Sequence, residues 1–235
     1  MPHRWNKAAA IRKEQIETGK DITFNKVFVP YYETIIKKLA PQSLLEIGCG
    51  TGHLSLALSK YVKTLHAIDP AIDMHKTAQL TLKDSQALVF NCRMNEYLTK
   101  EKYDLIISHL CLHSIGNIDE FFNAVKKHLQ HNASFFFSIP HPCFWHHYHP
   151  EWFGDFDYMR EQHLEVNLTI TNERDNPITG VPYIHRPLSS YFTALKANKL
   201  TILGFDEIFP ADDIQKLYEK NWEEPRYCVF HVGVQ

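Results

Sequence analysis

The sequence predicts an α/β fold: a seven-stranded, mostly parallel sheet with an antiparallel last strand, flanked by helices. Three observations carry this. Short, fully apolar runs alternate with segments of helical spacing from residue 43 to 139, as expected of parallel strands covered on both faces. The first run ends in a cluster of glycines. The alternation breaks at 141–187, a stretch rich in His, Trp, Phe, Tyr and Pro, and then resumes to the end of the chain.

The elements follow in order. Residues 8–16 read as helical, Thr18-Gly19-Lys20-Asp21 interrupt, and a second helix spans 25–39 before Pro41 stops it. Strand 43–47 leads through glycines into helix 54–59. Strand 65–68 precedes helix 71–82, and a short strand lies at 88–90. Strand 103–108 is followed by a helix over 117–129, and strand 134–139 closes the first series. Within the break, 165–171 alternates like a half-exposed strand. Helix 188–197, strand 200–209, a short helix after Pro210 and strand 227–232 complete the chain. Ligands in such sheets bind beyond the carboxyl ends of the strands, so 141–187 reads as an insertion covering the active site.

The chain has 235 residues, 44% of them hydrophobic and 22% charged, with a formal net charge of -2. One domain is expected over 1–235: an N-terminal helical lid at 1–40, a core at 41–140, the insertion at 141–187 and a completion of the sheet at 188–235. No stretch is strongly basic, which disfavours a long nucleic-acid partner and favours a small-molecule substrate. Cys49, Cys92, Cys111, Cys143 and Cys228 are scattered and odd in number, as in reduced thiols. No run has the length of a membrane span, and the first residues lack the apolar core of a signal peptide, so a cytoplasmic location is expected. The composition does not set the oligomeric state.

The decisive segment is Leu44-Leu45-Glu46-Ile47-Gly48-Cys49-Gly50-Thr51-Gly52-His53-Leu54. Glycine permits a tight turn and a close approach of backbone to ligand, and the helix that follows offers unpaired N–H groups. A nicotinamide site would place a third glycine where His53 stands. Glu46 would repel a pyrophosphate but suits a zwitterionic amino-acid moiety beside a sulfonium. Asp69, in Ala67-Ile68-Asp69-Pro70, lies 23 residues beyond Glu46 at a second strand tip, where a carboxylate accepts hydrogen bonds from ribose hydroxyls.

These segments resemble the class I S-adenosylmethionine-dependent methyltransferases. Residues 44–54 look like their first motif, 67–74 like their second-strand motif, and Tyr103-Asp104-Leu105-Ile106-Ile107-Ser108-His109-Leu110 like their fourth-strand segment. The resemblance is greatest to the small-molecule group that includes quinone-biosynthesis C-methyltransferases. It covers about 40–140 and extends more weakly to Trp5, Asp21 and 181–188. It implies a Rossmann-like domain with S-adenosyl-L-methionine as cofactor and S-adenosylhomocysteine as product. Glu46, Gly48, Cys49, Gly50 and Gly52 would border its methionine part, Asp69 with Pro70 its ribose, Met74 and Met94 its adenine, and Ser108, His109 and Leu110 its sulfonium. The family's usual acid after the third strand is replaced by Met94-Asn95. Either Asn95 and the backbone take the adenine role or the register slips toward Arg93.

Methyl transfer mainly requires alignment and exclusion of water, with a base only where the nucleophile must lose a proton. Histidine is tuned for that, and the sequence has 15. His141, directly after the fifth strand, is the first candidate and His185 the second. His141, Cys143, His146, His147 and His149 match no zinc spacing, so no metal is expected. The aromatics Phe144, Trp145, Tyr148, Trp152, Phe153, Phe156 and Tyr158 either wall a substrate pocket or form the insertion's own core. Trp5 and the helix near 24–32 either close over the cofactor or form a packed helix pair. The alternatives to a small-molecule enzyme are an RNA or protein methyltransferase and a non-catalytic S-adenosylmethionine-binding protein.

Overall fold

The computed structural model describes residues 2–170 and 173–234. The chain forms two compact units, each assembled from three stretches: Met1–Arg93 with Asn167–Val181 and Pro210–Asn221, and Met94–Val166 with Pro182–Phe209 and Trp222–Gln235.

The first unit carries strands β1 (Ser43–Ile47), β2 (Thr64–Ile68) and β3 (Leu88–Phe90), with parallel pairing of β1 to β2 and of β2 to β3. Its helices are α1 (Ala9–Glu17), α2 (Val29–Leu39), α3 (His53–Ser59) and α4 (Ile72–Thr81). The predicted helix at 25–39 is in fact two pieces, a π-helical Thr23–Phe28 running into α2. Pro30 lies in the first turn of α2 and has no N–H to give, so regular i→i−4 bonding cannot run unbroken through this point. Gly19, with φ 75°, turns the chain after α1, and Asp21 Oδ1 accepts the N–H of Phe24.

The second unit carries β4 (Tyr103–His109), α5 (Ile118–His128), β5 (Leu129–Pro140), α6 (Trp145–Tyr148), α7 (Leu188–Ala197), β8 (Leu200–Ile208) and β9 (Tyr227–Val234). β4 and β5 are parallel, whereas β9 is antiparallel to both β5 and β8. α5 shows why its sequence is helical. Asn117 accepts the Glu120 N–H as N-cap, acids fill the first turn and Lys126, Lys127 and His128 the last, and Ile118, Phe121, Phe122 and Val125 are buried. Phe137 stacks on Phe230 at 4.6 Å and meets Phe122 and Tyr191, forming an aromatic core around β5.

The seven strands form one sheet in the order β3-β2-β1-β4-β5-β9-β8. The insertion differs from expectation. Besides α6 it forms a two-stranded sheet of β6 (Gln162–Ile170) and β7 (Glu173–His185). Thr171, the last residue of the expected strand, lies outside the described residues. β7 contains Pro177 and Pro182, residues that argue against a strand in sequence, yet an edge position tolerates a missing donor. A last helix, α8 (Asp212–Gln215), follows Pro210 as expected. Among the described residues no helix is long and apolar enough to cross a membrane.

Candidate active site

In the first unit, the turn from β1 to α3 is built by three glycines in the left-handed region: Gly48 (φ 71°), Gly50 (φ 54°) and Gly52 (φ 80°). The N–H groups of Gly48 and Cys49 both donate to the Ile68 carbonyl at the end of β2, at 2.8 and 3.1 Å. The carboxylate of Asp69 then ties the two strand tips together. Its Oδ2 accepts the Gly50 N–H at 2.9 Å and its Oδ1 accepts the Ala71 N–H at 2.8 Å. Asn91 secures the Asp69 carbonyl from the next strand tip at 2.8 Å. Asp69 is buried, and burial raises its pKa against the lowering effect of the two backbone bonds.

Glu46, one residue before the end of β1, is also buried, and Ser55 of α3 donates its hydroxyl to Glu46 Oε2. Burial raises the Glu46 pKa to about 7, opposed by the bonds from Ser55 and reinforced by the charge of Asp69. Met74 is buried on α4, its sulfur 4.0 Å from where a Cβ on Gly50 would stand. Cys49 is buried, and Pro70 is half-buried beside Asp69.

Gly52 has a different reason to be glycine. A Cβ there would lie 3.1 Å from both Cα and Cβ of Ala78 and 3.2 Å from Leu82, at a φ that side chains resist. Gly52→Ala is therefore expected to destabilise the protein by about 2–4 kcal/mol, combining backbone strain with overpacking. Denaturant unfolding measures this; a midpoint within error of the parent would refute the close approach of α3 to α4.

In the second unit, β4 ends on Ser108, fully buried, and His109, whose Nδ1 lies 2.8 Å from Ser138 Oγ. Leu110 adopts φ 46°, a left-handed conformation held by bonds from its N–H to Ser138 Oγ (3.0 Å) and to the Ser138 carbonyl (3.1 Å). A strained non-glycine backbone at a strand tip marks a place where geometry is kept at a cost. Met94 is buried in a 3₁₀ turn, Met94–Glu96, and Asn95 is exposed with its amide on Glu120 Oε1 at 2.6 Å.

The two candidate bases differ sharply. His141 has both ring nitrogens engaged: Nδ1 accepts the Cys143 N–H at 3.2 Å, so Nε2 carries the hydrogen and donates to Glu207 Oε1 at 3.0 Å. His185 donates from Nε2 to the Tyr158 carbonyl at 3.0 Å, which leaves the lone pair on Nδ1. Both rings are buried, and burial lowers both pKa values.

Three partners were not foreseen from sequence. Ser55 and Ser138 are hydroxyls set in apolar runs, and that is the signal by which sequence marks them. Arg186 is fully buried. Its Nε donates to Glu161 at 2.8 Å, and its Nη2 donates to the carbonyls of Ile115 and Gly116 at 2.8 and 2.9 Å, pinning the loop after β4.

The profile of a family described as a methyltransferase domain matches residues 25–173. The chain belongs to this methyltransferase family. The malonyl-[acyl-carrier protein] O-methyltransferase of Bacillus cereus is 31% identical over 134 residues, which cover 56% of this chain and 48% of that protein. The chain spans about half the length of the curated relatives it matches. Among solved structures, an S-adenosylmethionine-dependent methyltransferase of Clostridium acetobutylicum superposes with a TM-score of 0.67 at 18% identity, over 98% of each chain. Another from Mesorhizobium loti gives a TM-score of 0.62 at 17% identity, over 85% of this chain and 95% of that one. The methyltransferase thus has the Rossmann-like fold of the class I, S-adenosylmethionine-dependent enzymes.

Proposed function

We propose that this methyltransferase moves a methyl group from S-adenosyl-L-methionine to a small-molecule acceptor. The observation that carries the reading is the Asp69 carboxylate, which grips the N–H of Gly50 on one strand tip and of Ala71 on the next. Glycine turn and acid thereby converge on one cradle. Each carboxylate oxygen keeps a further lone pair for a ribose hydroxyl. Glu46 offers a negative partner for the amino-acid end of the donor, and Gly48, Cys49, Gly50 and Gly52 present the backbone there. Pro70 and Met74, with Met94 and Asn95, are assigned to the nucleoside, and Ser108, His109 and Leu110 to the sulfonium end.

The donor supplies an already activated methyl group. The work left to the chain is to hold the acceptor in line and keep water away. Where the acceptor must lose a proton, the base is assigned to His185 Nδ1, because the His141 lone pair is spent on the Cys143 amide whereas His185 donates from Nε2 and keeps a lone pair on Nδ1. His185→Ala is expected to slow S-adenosylhomocysteine formation about 100-fold or more with an acceptor that ionises on transfer. His141→Ala is expected to lower the unfolding midpoint more than the rate. Equal rate losses in both variants would remove the assignment. Calorimetric titration with S-adenosylhomocysteine tests the donor itself: saturable binding is expected, and its absence would overturn the reading.

A further inference from the structure

The tip of β4 is held by one side chain of β5. His109 stands opposite Ser138 in the parallel register, and Ser138 is paired on its other side with Val229 of β9, so the strand that carries it is fixed from both edges. Ser138 is fully buried, and its hydroxyl must find its partners among protein groups. The Leu110 N–H donates to Ser138 Oγ at 3.0 Å as well as to the Ser138 carbonyl at 3.1 Å. The one hydrogen on Oγ then goes to His109 Nδ1, at 2.8 Å.

These bonds fix one peptide plane. A trans peptide directs its N–H and C=O in opposite directions, and the described residues contain no cis bond. With the Leu110 N–H directed at β5, the carbonyl of His109 points away from β5. The rotation that sets this plane is φ of Leu110, kept at 46° in the left-handed region that the Cβ of a leucine resists. Without the Ser138 hydroxyl the residue is freer to relax, and the plane turns with it. A carbonyl oxygen has two lone pairs, so the one on His109 has capacity beyond a single backbone bond.

Resting on the donor reading above, which assigns this strand tip to the sulfonium end, we infer that Ser138 is a positioning residue that sets the preference for S-adenosyl-L-methionine over S-adenosylhomocysteine. It holds the His109 carbonyl oxygen for the methyl group of the donor. The sulfonium charge polarises that methyl, so its C–H groups are drawn to a carbonyl oxygen more strongly than neutral ones are. The product has lost both the methyl and the charge, and the same oxygen then has nothing to attract. Transfer of the methyl thereby loosens the hold on the product that must leave.

Calorimetric titration of the parent and two variants with each of the two ligands is the test. In Ser138→Ala the affinity for S-adenosyl-L-methionine is expected to fall about ten-fold. Affinity for S-adenosylhomocysteine is expected to stay within about two-fold of the parent, which also reports that the variant folds. Ser138→Cys, close to serine in volume but weak in hydrogen bonding, is expected to show the same selective loss at about three-fold. A serine with only a structural role would weaken both ligands together. Equal losses for the two ligands, or no loss for either, overturns the inference and leaves the donor reading intact. A parent that binds neither ligand overturns the donor reading, and this inference with it.

Discussion

Asp69→Ala is expected to weaken S-adenosylhomocysteine binding at least 100-fold. The side chain does two jobs. It fixes the Gly50 turn and the start of α4 through two backbone N–H groups, and it offers its remaining lone pairs to the ribose. Hydrogen bonds to a charged acceptor are worth about 1.5–3 kcal/mol each, so losing the set costs two or more orders of magnitude. Alanine also strands two buried donors, and a lower unfolding midpoint should accompany the loss. Asp69→Asn keeps one carbonyl oxygen and should fall between parent and alanine. Calorimetry on the three proteins checks the order; an alanine variant that binds like the parent would remove the cradle from the account.

The second large effect concerns Glu46. Its carboxyl titrates at about 7 when folded, against an ordinary 4.5. A raised acid pKa means that the folded state holds the proton more tightly than the unfolded chain. The resulting stability is fully present below pH about 4.5, declines as pH rises toward 7 and is gone above it, a change of about 3 kcal/mol. Glu46→Gln keeps an acceptor for Ser55 and carries no charge. It should flatten this part of the stability profile and make the donor-free protein more stable at pH 8 than the parent. The same variant should bind S-adenosylhomocysteine about ten-fold more weakly, because the amino-acid end loses its anionic partner. Urea unfolding from pH 5 to pH 8 reads the first effect and calorimetry the second. A parent profile with no decline across that range would show that Glu46 stays ionised in the fold.

Much of this was legible in the sequence. β1, β3 and α7 fall on their expected residues; Pro41 and Gly48 bracket β1, Asn91 follows β3 and Pro187 starts α7. The convergence of Gly50 and Asp69 followed from a parallel β1–β2 pair, which brings successive strand tips side by side. β5 starts earlier than expected, because Gln130, His131 and Asn132 break the apolar run that marks a buried strand. β7 was hidden by its two prolines, and the π-helical segment by a hydrophobic pattern that reads the same for either winding. At the site, a lone-pair assignment such as that separating His141 from His185 depends on which main-chain group happens to stand beside a ring, and residue spacing carries no record of it.

The threading of the chain through its two units has a consequence for synthesis. Each unit draws on stretches from before residue 94 or 167 and from beyond residue 209. A growing polypeptide therefore has neither unit finished when the first two hundred residues have left the ribosome, and contacts so distant in sequence close slowly. Phe135, Phe136 and Phe137 then wait with one side unpaired until β9, Tyr227–Val234, emerges. Chains truncated before Tyr227, and so lacking β9, should be insoluble rather than partly active.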